Sequence, residues 1–308
     1  MVDEPYLNGV IGDGTHDMAD YATAFTQLKE LNIAAGSNLL PRWVFYSDAD
    51  FATYLETFLE TCPTPYLSFD YYVFDKNMNV KDYFYNLSAY RAKAAEAGIP
   101  LWVFVQAGSQ WNNTMGTVTS VTPYYPDKGQ FDWNINTSLA YGAKGIQYFP
   151  LIQPYWFAWA ENDTLDLERN GMIGAWGEKN QWFYYAKDMK NHIGAVDEVL
   201  MNSVNKGVLV SGAQAQTDNQ KSSCVLSGTS WRELSDISGD ALVGCFNYQG
   251  KTALYVVNYD MENAQYLNLT FRDSFNFRVI QDGVETYQSG SALTLSMNAG
   301  EGVLIVFE

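Results

Sequence analysis

The stretch Arg91–Gly116, RAKAAEAGIPLWVFVQAGSQWNNTMG, changes period twice within 26 residues. Its first part ends a helical pattern, which Gly98 and Pro100 stop. Leu101–Gln106 follows as an almost unbroken apolar run, the pattern of a strand buried on both faces. The chain then turns polar and aromatic from Ala107 to Lys128, and loops of that length in compact domains are usually functional. Helix, buried strand and long polar loop in this order make one unit of a parallel α/β fold.

The same unit recurs on both sides. Expected strands are Val2–Pro5, Ile33–Leu40, Tyr66–Phe74 and Gly145–Leu151. Expected helices are Asp17–Leu31, Asp48–Thr61, Asp82–Ala97, Phe131–Tyr141 and Gln181–Met201. Five strands, each followed by a helix, imply a parallel sheet, either doubly wound or barrel-shaped. No G-x-G-x-x-G and no P-loop motif occurs, so a nucleotide-binding reading lacks its main support, and no cofactor is expected. Polar and aromatic residues gather after the strand ends, where barrel enzymes build their sites.

Beyond about Gly207 the pattern becomes short strands: Lys206–Val210, Ala241–Tyr248, Lys251–Tyr259, Tyr266–Phe271, Phe277–Ile280, Ala292–Met297 and Gly302–Phe307. Gln249-Gly250 and Asp282-Gly283 are turn signals between them. The expectation is an α/β region over 1–205 and an antiparallel β-sandwich over 206–308.

Composition narrows the chemistry. The 308 residues carry 18 Lys+Arg against 35 Asp+Glu, a formal charge of −17, which would repel a phosphate backbone and argues against nucleic acid. No apolar run approaches the length of a membrane span. Met1–Pro5 has neither a basic nor an apolar leader region, which leaves export open; an extracellular or cell-surface setting is the expectation. Cys62, Cys224 and Cys245 lack metal-ligand spacing; they read as buried thiols, with Cys224–Cys245 the pair best suited to a disulfide if one forms. His16 and His192 do not suggest a zinc site, and Ser68 has no nucleophile elbow around it.

The aromatic share is 16 %, with 9 Trp and 22 Tyr. Trp111, Tyr124, Tyr125, Tyr155, Trp156, Trp159 and Trp176 fall in the expected loops, interleaved with Asn, Gln and Gly. Sugar rings stack their CH faces on flat aromatic side chains and offer hydroxyls to amides and carboxylates, so an oligosaccharide or glycan is the expected ligand. Glu4 ends the first strand, where a carboxylic acid could protonate a glycosidic oxygen. Asp70 follows an apolar strand into an aromatic cluster that includes Tyr72. A charge placed there needs partners. Asn38, Gln106 and Gln147 lie on the neighbouring strands and suit hydroxyl recognition or internal hydrogen bonds equally. Glu161 and Glu178 read as loop charges.

Several segments resemble one known group. LAYGAKGIQYFPL (Leu139–Leu151), YLSFDYYVF (Tyr66–Phe74), PLWVFVQAG (Pro100–Gly108) and NLLP (Asn38–Pro41) are similar, in the same order, to bacterial β-galactosidase-like glycoside hydrolases, distant relatives of family 42 of clan A. The closing AGEGVLIVF (Ala299–Phe307) resembles the last strand of the sandwich that follows many such barrels. The resemblance implies a partial TIM barrel, strands four to eight, with a second chain or segment supplying the rest. It places Glu4, in Asp3-Glu4-Pro5, at the acid/base position. It also implies hydrolysis of β-linked oligosaccharides, galactose-containing chains among them; the residues themselves offer Glu4 and Asp70 as the carboxylates. Asn38, Tyr72, Gln106, Trp111, Gln147, Trp156 and Trp176 would be the sugar contacts, and no metal is expected. Two positions depart from the group. Asp3 stands where its members carry Asn, and Gln106 stands where they carry the nucleophilic Glu. An amide forms no glycosyl ester. Three readings stay open: Glu4 paired with another carboxylate, an inactivated enzyme, or a sugar binder on a degenerate barrel.

Overall fold

The computed structural model describes residues 2–3, 18–75, 77–108, 124–152, 171–174 and 176–308. Its first sheet is parallel and runs in chain order: β1 (Val2–Asp3), β2 (Ser37–Leu39), β3 (Leu67–Phe69), β4 (Leu101–Gln106) and β5 (Gly145–Phe149). The sheet is open among the described residues, with β1 and β5 as its edges, and no closed barrel forms. The helices between and after the strands are α1 (Met18–Glu30), α2 (Asp48–Thr61), α3 (Val80–Ala97), α4 (Lys128–Ala140) and α5 (Gln181–Met201).

Local chemistry sets these boundaries. Ser47 caps α2 by accepting from Asp50 N. Asn79 caps α3, and Gly98 ends it in the left-handed conformation at φ 68°. At α4 a capping box joins Asp127 and Gln130. The strands β2 and β3 are shorter than expected, because the backbone leaves the ladder within three residues to form the loops that follow.

The second sheet is antiparallel, in the order β11-β10-β12-β9-β8-β6, with β7 also pairing β10. Its strands are β6 (Ser203–Ser211), β7 (Leu234–Ser238), β8 (Ala241–Tyr248), β9 (Lys251–Asn258), β10 (Gln265–Gln281), β11 (Val284–Met297) and β12 (Gly302–Phe307). β10 and β11 form one long hairpin whose register shifts between Thr270 and Phe275. Three expected strands, Tyr266–Phe271, Phe277–Ile280 and Ala292–Met297, thus become two. The short α6 (Ala213–Asp218) and β7 have no counterpart in the sequence reading. All three cysteines are buried free thiols, so the Cys224–Cys245 pairing is not made.

Between the two sheets lies α4, every residue of which from Gln130 to Ala140 is buried. Phe131 stacks on Tyr148 of the parallel sheet, centroids 5.8 Å apart. On its other side, Asn136 donates to Gly300 O at 2.9 Å and accepts from the Tyr255 hydroxyl at 2.7 Å. Contact with the antiparallel sheet is close enough to need glycine. A Cβ on Gly244 would lie 2.3 Å from Ala140 O. The helix therefore has two buried faces and must satisfy its polar side chains internally.

Candidate functional site

Register fixes which side chains share a face of the parallel sheet. Asn38 pairs with Ser68, Ser68 with Trp102, and Trp102 with Gly145; one row on, Phe104 pairs with Gln147. Side chains in such rows point the same way, and alternation reverses them at each residue. The opposite face is the helix-covered one: Phe69 stacks on Tyr90 of α3 at 4.3 Å, and Tyr148 meets Phe131 of α4. The face bearing Asn38, Ser68 and Gln147 carries the polar stripe, and no described helix stacks an aromatic ring on it.

An aromatic pair floors one end of this face. Tyr66 and Trp102 stack at 4.3 Å and 10°. They lie flat because the positions beneath them are glycines. A Cβ on Gly36 would fall 2.1 Å from the Tyr66 ring, and one on Gly145 would fall 2.5 Å from the Trp102 indole. Above this floor the Gln147 amide donates from Nε2 to Ser68 Oγ at 3.0 Å, reaching across β4. Asn38 is buried, and its Oδ1 has no hydrogen-bond partner among the described residues. Buried acceptors in that condition are uncommon and call for an explanation. Asp70 leaves β3 directly after Phe69 and is buried at the C-terminal end of that strand. Tyr72, half-buried, packs at 5.5 Å on Phe149, the last residue of β5. The Tyr71 hydroxyl beside it is pushed well above its ordinary value by burial, and by the charges of Asp82 and Asp75.

Gln106 does something other than bind hydroxyls. It is fully buried at the end of β4. Its Oε1 accepts from Phe74 N at 2.9 Å, and its Nε2 donates to Phe74 O at 2.8 Å and to Gly108 O at 3.0 Å. Its backbone N–H donates to Asn134 Oδ1 of α4 at 3.3 Å. The amide is a clamp tying the loop after β3 to the loop after β4. Of the two roles the sequence leaves open at Gln106, hydroxyl recognition and internal hydrogen bonding, these contacts are of the second kind.

Trp176 is 82 % exposed in a loop after β5. Glu178 holds that loop: its carboxylate accepts from Trp176 N at 2.9 Å, and its carbonyl accepts from Gly174 N at 2.9 Å. Glu4, Trp111 and Trp156 lie outside the described residues, as do His16 and Glu161. Among the described residues, no group of three or more His, Cys, Asp or Glu is placed to hold a metal ion.

Sequence reasoning missed Ser68 and the Tyr66–Trp102 floor. The signals were present: a Ser inside an apolar strand, and glycines opposite large aromatics in neighbouring strands. It also missed a polar seam around α4. There Asp132 pairs with Lys128, yet burial outweighs the ion pair and pushes its carboxyl up to about 6; Glu301 and Asp188 add to the rise. Glu301 is raised by burial as well, and burial lowers His192, whose Nε2 lies 2.6 Å from the Tyr255 hydroxyl.

No family model matches this chain, and no curated protein does. Solved structures do match. A rhamnosidase from Novosphingobium sp. PP1Y aligns with a TM-score of 0.58 at 8 % identity, over 94 % of this chain and 38 % of that one. A glucosidase from Croceicoccus marinus aligns at 13 % identity and a TM-score of 0.40, over 99 % of this chain and 67 % of that one. A β-galactosidase from the psychrophilic Marinomonas ef1 aligns at 12 % and 0.41, over 66 % and 32 %. At these identities the likeness concerns fold, and the rhamnosidase is the one of the three similar enough to carry it. This chain spans 38 % of that rhamnosidase's length.

Proposed function

We propose that the chain is a carbohydrate-active protein of the glycoside hydrolase type, with residues 1–205 as barrel-type βα units and 206–308 as a β-sandwich. The observation that carries this reading is the face of the parallel sheet turned away from α3 and α4. It combines a flat aromatic floor, Tyr66 on Trp102, with a part-buried amide–hydroxyl pair, Gln147 on Ser68. A buried carboxylate, Asp70, stands at the C-terminal end of β3. Pyranose rings need these two surfaces together, an apolar plane and directed hydrogen bonds. The glycosidase names of the structural neighbours agree with it.

In this reading Glu4 is the general acid and Asp70 the second carboxylate. Asn38, Tyr72 and Gln147 meet hydroxyls, and Trp111, Trp156 and Trp176 are sugar platforms. Gln106 supports the loops and forms no covalent intermediate. Carboxyls at about 6.5–9.5 Å would leave room for an attacking water and give inversion of configuration. β-Linked, galactose-containing chains are the substrates to try first, in the light of the resemblance of the barrel segments. A second reading, glycan binding without hydrolysis, is favoured by one observation: an immobilised amide occupies the position where the resembling group carries its nucleophile. The test is a panel of aryl glycosides, with anomers of the product followed by NMR. Hydrolysis that disappears in both Glu4→Gln and Asp70→Asn supports the enzyme. Glycan binding by calorimetry with no turnover supports the binder, and retention of configuration would exclude the Glu4–Asp70 pairing.

A further inference from the structure

The two edges of the antiparallel sheet are treated differently. At β6 the outer edge is occupied: Val208 N donates to Cys224 O at 3.0 Å, and Leu226 N donates to Val208 O at 2.8 Å. The 224–226 segment thus blocks further pairing there. At β11 no described backbone segment does the same, and one side chain, the Gln281 amide, donates to Ser296 O near the end of the strand at 2.8 Å. Its 14 residues pair with β10 on one side, and its outer row of backbone groups has no partner strand among the described residues.

Edge strands left open usually carry a device against pairing, such as short length, Lys, Pro or a bulge in the edge strand itself. β11, VETYQSGSALTLSM, has none of the first three. The irregularity in the hairpin falls on β10, where the four residues 271–274 stand opposite Ser291. β11 carries one charge, Glu285, and Arg278 neutralises it at 3.1 Å. From Thr286 to Met297 the strand is uncharged, in a chain whose formal charge is −17. Val284 to Ser289 are exposed on both faces of the strand, with Tyr287 at 69 %.

We propose that β11 is a homodimer interface, pairing antiparallel with β11 of a second copy about a two-fold axis near Gly290. The occupant follows from charge. Two chains of −17 repel, so association is cheapest where an uncharged strip meets an uncharged strip, and an isologous contact sets this strip upon itself. Backbone hydrogen bonds supply the attraction, as in strand addition generally.

Light scattering on the full chain during size exclusion tests this. The expected mass is two chains, falling to one on dilution. Thr286→Glu/Gln288→Glu adds like charges on both sides of the axis and should give one chain at every concentration. Its circular dichroism should match the wild type, since both side chains are exposed. A thiol scan gives an independent measure, because all native cysteines are buried. Gly290→Cys is sterically permitted, its Cβ meeting nothing closer than Ala292 O at 3.5 Å. With Gln288→Cys and Ala292→Cys it should give a reducible covalent dimer at one position, and Val204→Cys on β6 should give none. A single-chain mass up to the solubility limit would overturn the proposal. So would a dimer that persists unchanged in the double Glu variant, or one cross-linked through position 204 instead.

Discussion

Gln106→Glu is the substitution a reader of sequence would make to restore a nucleophile, and the structure expects it to damage the fold instead. The native amide Nε2 donates to two carbonyls, Phe74 O at 2.8 Å and Gly108 O at 3.0 Å. A carboxylate turns both contacts into repulsions between oxygens. Two lost bonds at about 1 kcal/mol each, with two carbonyls orphaned in a fully buried site at about 1–3 kcal/mol each, set a scale of roughly 4–8 kcal/mol. A protonated carboxyl recovers one of the two bonds, so burial and the facing carbonyls raise the folded-state pKa of the new group above its unfolded value of about 4.3. The sign follows from linkage. The deficit is smallest below about pH 4 and grows as pH rises through the raised value, where the folded state must either hold its proton or bear a buried charge. Thermal unfolding at pH 4.5 and pH 7.5, against wild type, reads this directly. At pH 7.5 the midpoint should fall on the order of 10 °C, and at pH 4.5 by visibly less. Equal midpoints at pH 7.5 would refute the clamp. So would new aryl-glycoside turnover with a glycosyl ester detected by mass spectrometry, since that requires the side chain to face substrate.

Other consequences concern the seam around α4. Asp132, with its carboxyl pushed up to about 6 by burial, holds its proton in the folded state where the unfolded chain has lost it; its contribution is present below about pH 4 and lost as pH rises to 6. Asp132→Asn should therefore gain about 1–3 kcal/mol relative to wild type between those pH values in urea unfolding; a pH-independent difference would contradict this. Gly244→Ala drives a Cβ to 2.3 Å from Ala140 O and should cost about 1–3 kcal/mol or more, read as a fall in urea midpoint. Gly194→Ala is the reverse case: it lies within α5 with nothing near its Cβ, and should stabilise by about 0.5–1 kcal/mol in the same assay.

Strand β4 and helix α5 were legible to the residue, because Leu101–Gln106 is a clean apolar run and Gln181–Met201 has a regular apolar stripe. Strands β2 and β3 were overextended. Tyr66–Phe74 is apolar or aromatic apart from Ser68 and Asp70, but the pull on Phe74 comes from a side chain 32 residues away, Gln106, and local pattern cannot report it. The same limit hid the role of Gln106. An amide at a strand end suits a ligand or a clamp equally, and the choice is made by loops that the sequence does not place. Asp70 and Gln147 were found because each is a polar residue set where an apolar strand ends or passes.

Helix α4 shows the sharper reason why part of the fold resists reading. Periodicity works when one face of an element is wet, and α4, KGQFDWNINTSLA, has no wet face from Gln130 onward. Its polar residues are not an exposed stripe. Asn134 accepts from Gln106 N on the side of the parallel sheet and donates to the Tyr83 hydroxyl at 3.1 Å. Asn136 faces the antiparallel sheet through Gly300 and Tyr255. Such a helix trades hydrophobic contact for directed bonds in two directions, which fixes its rotation and height between the sheets. The same Asn134 holds the strand end whose side chain clamps the site loops. The geometry of the candidate site is thus set from behind, by a buried polar helix.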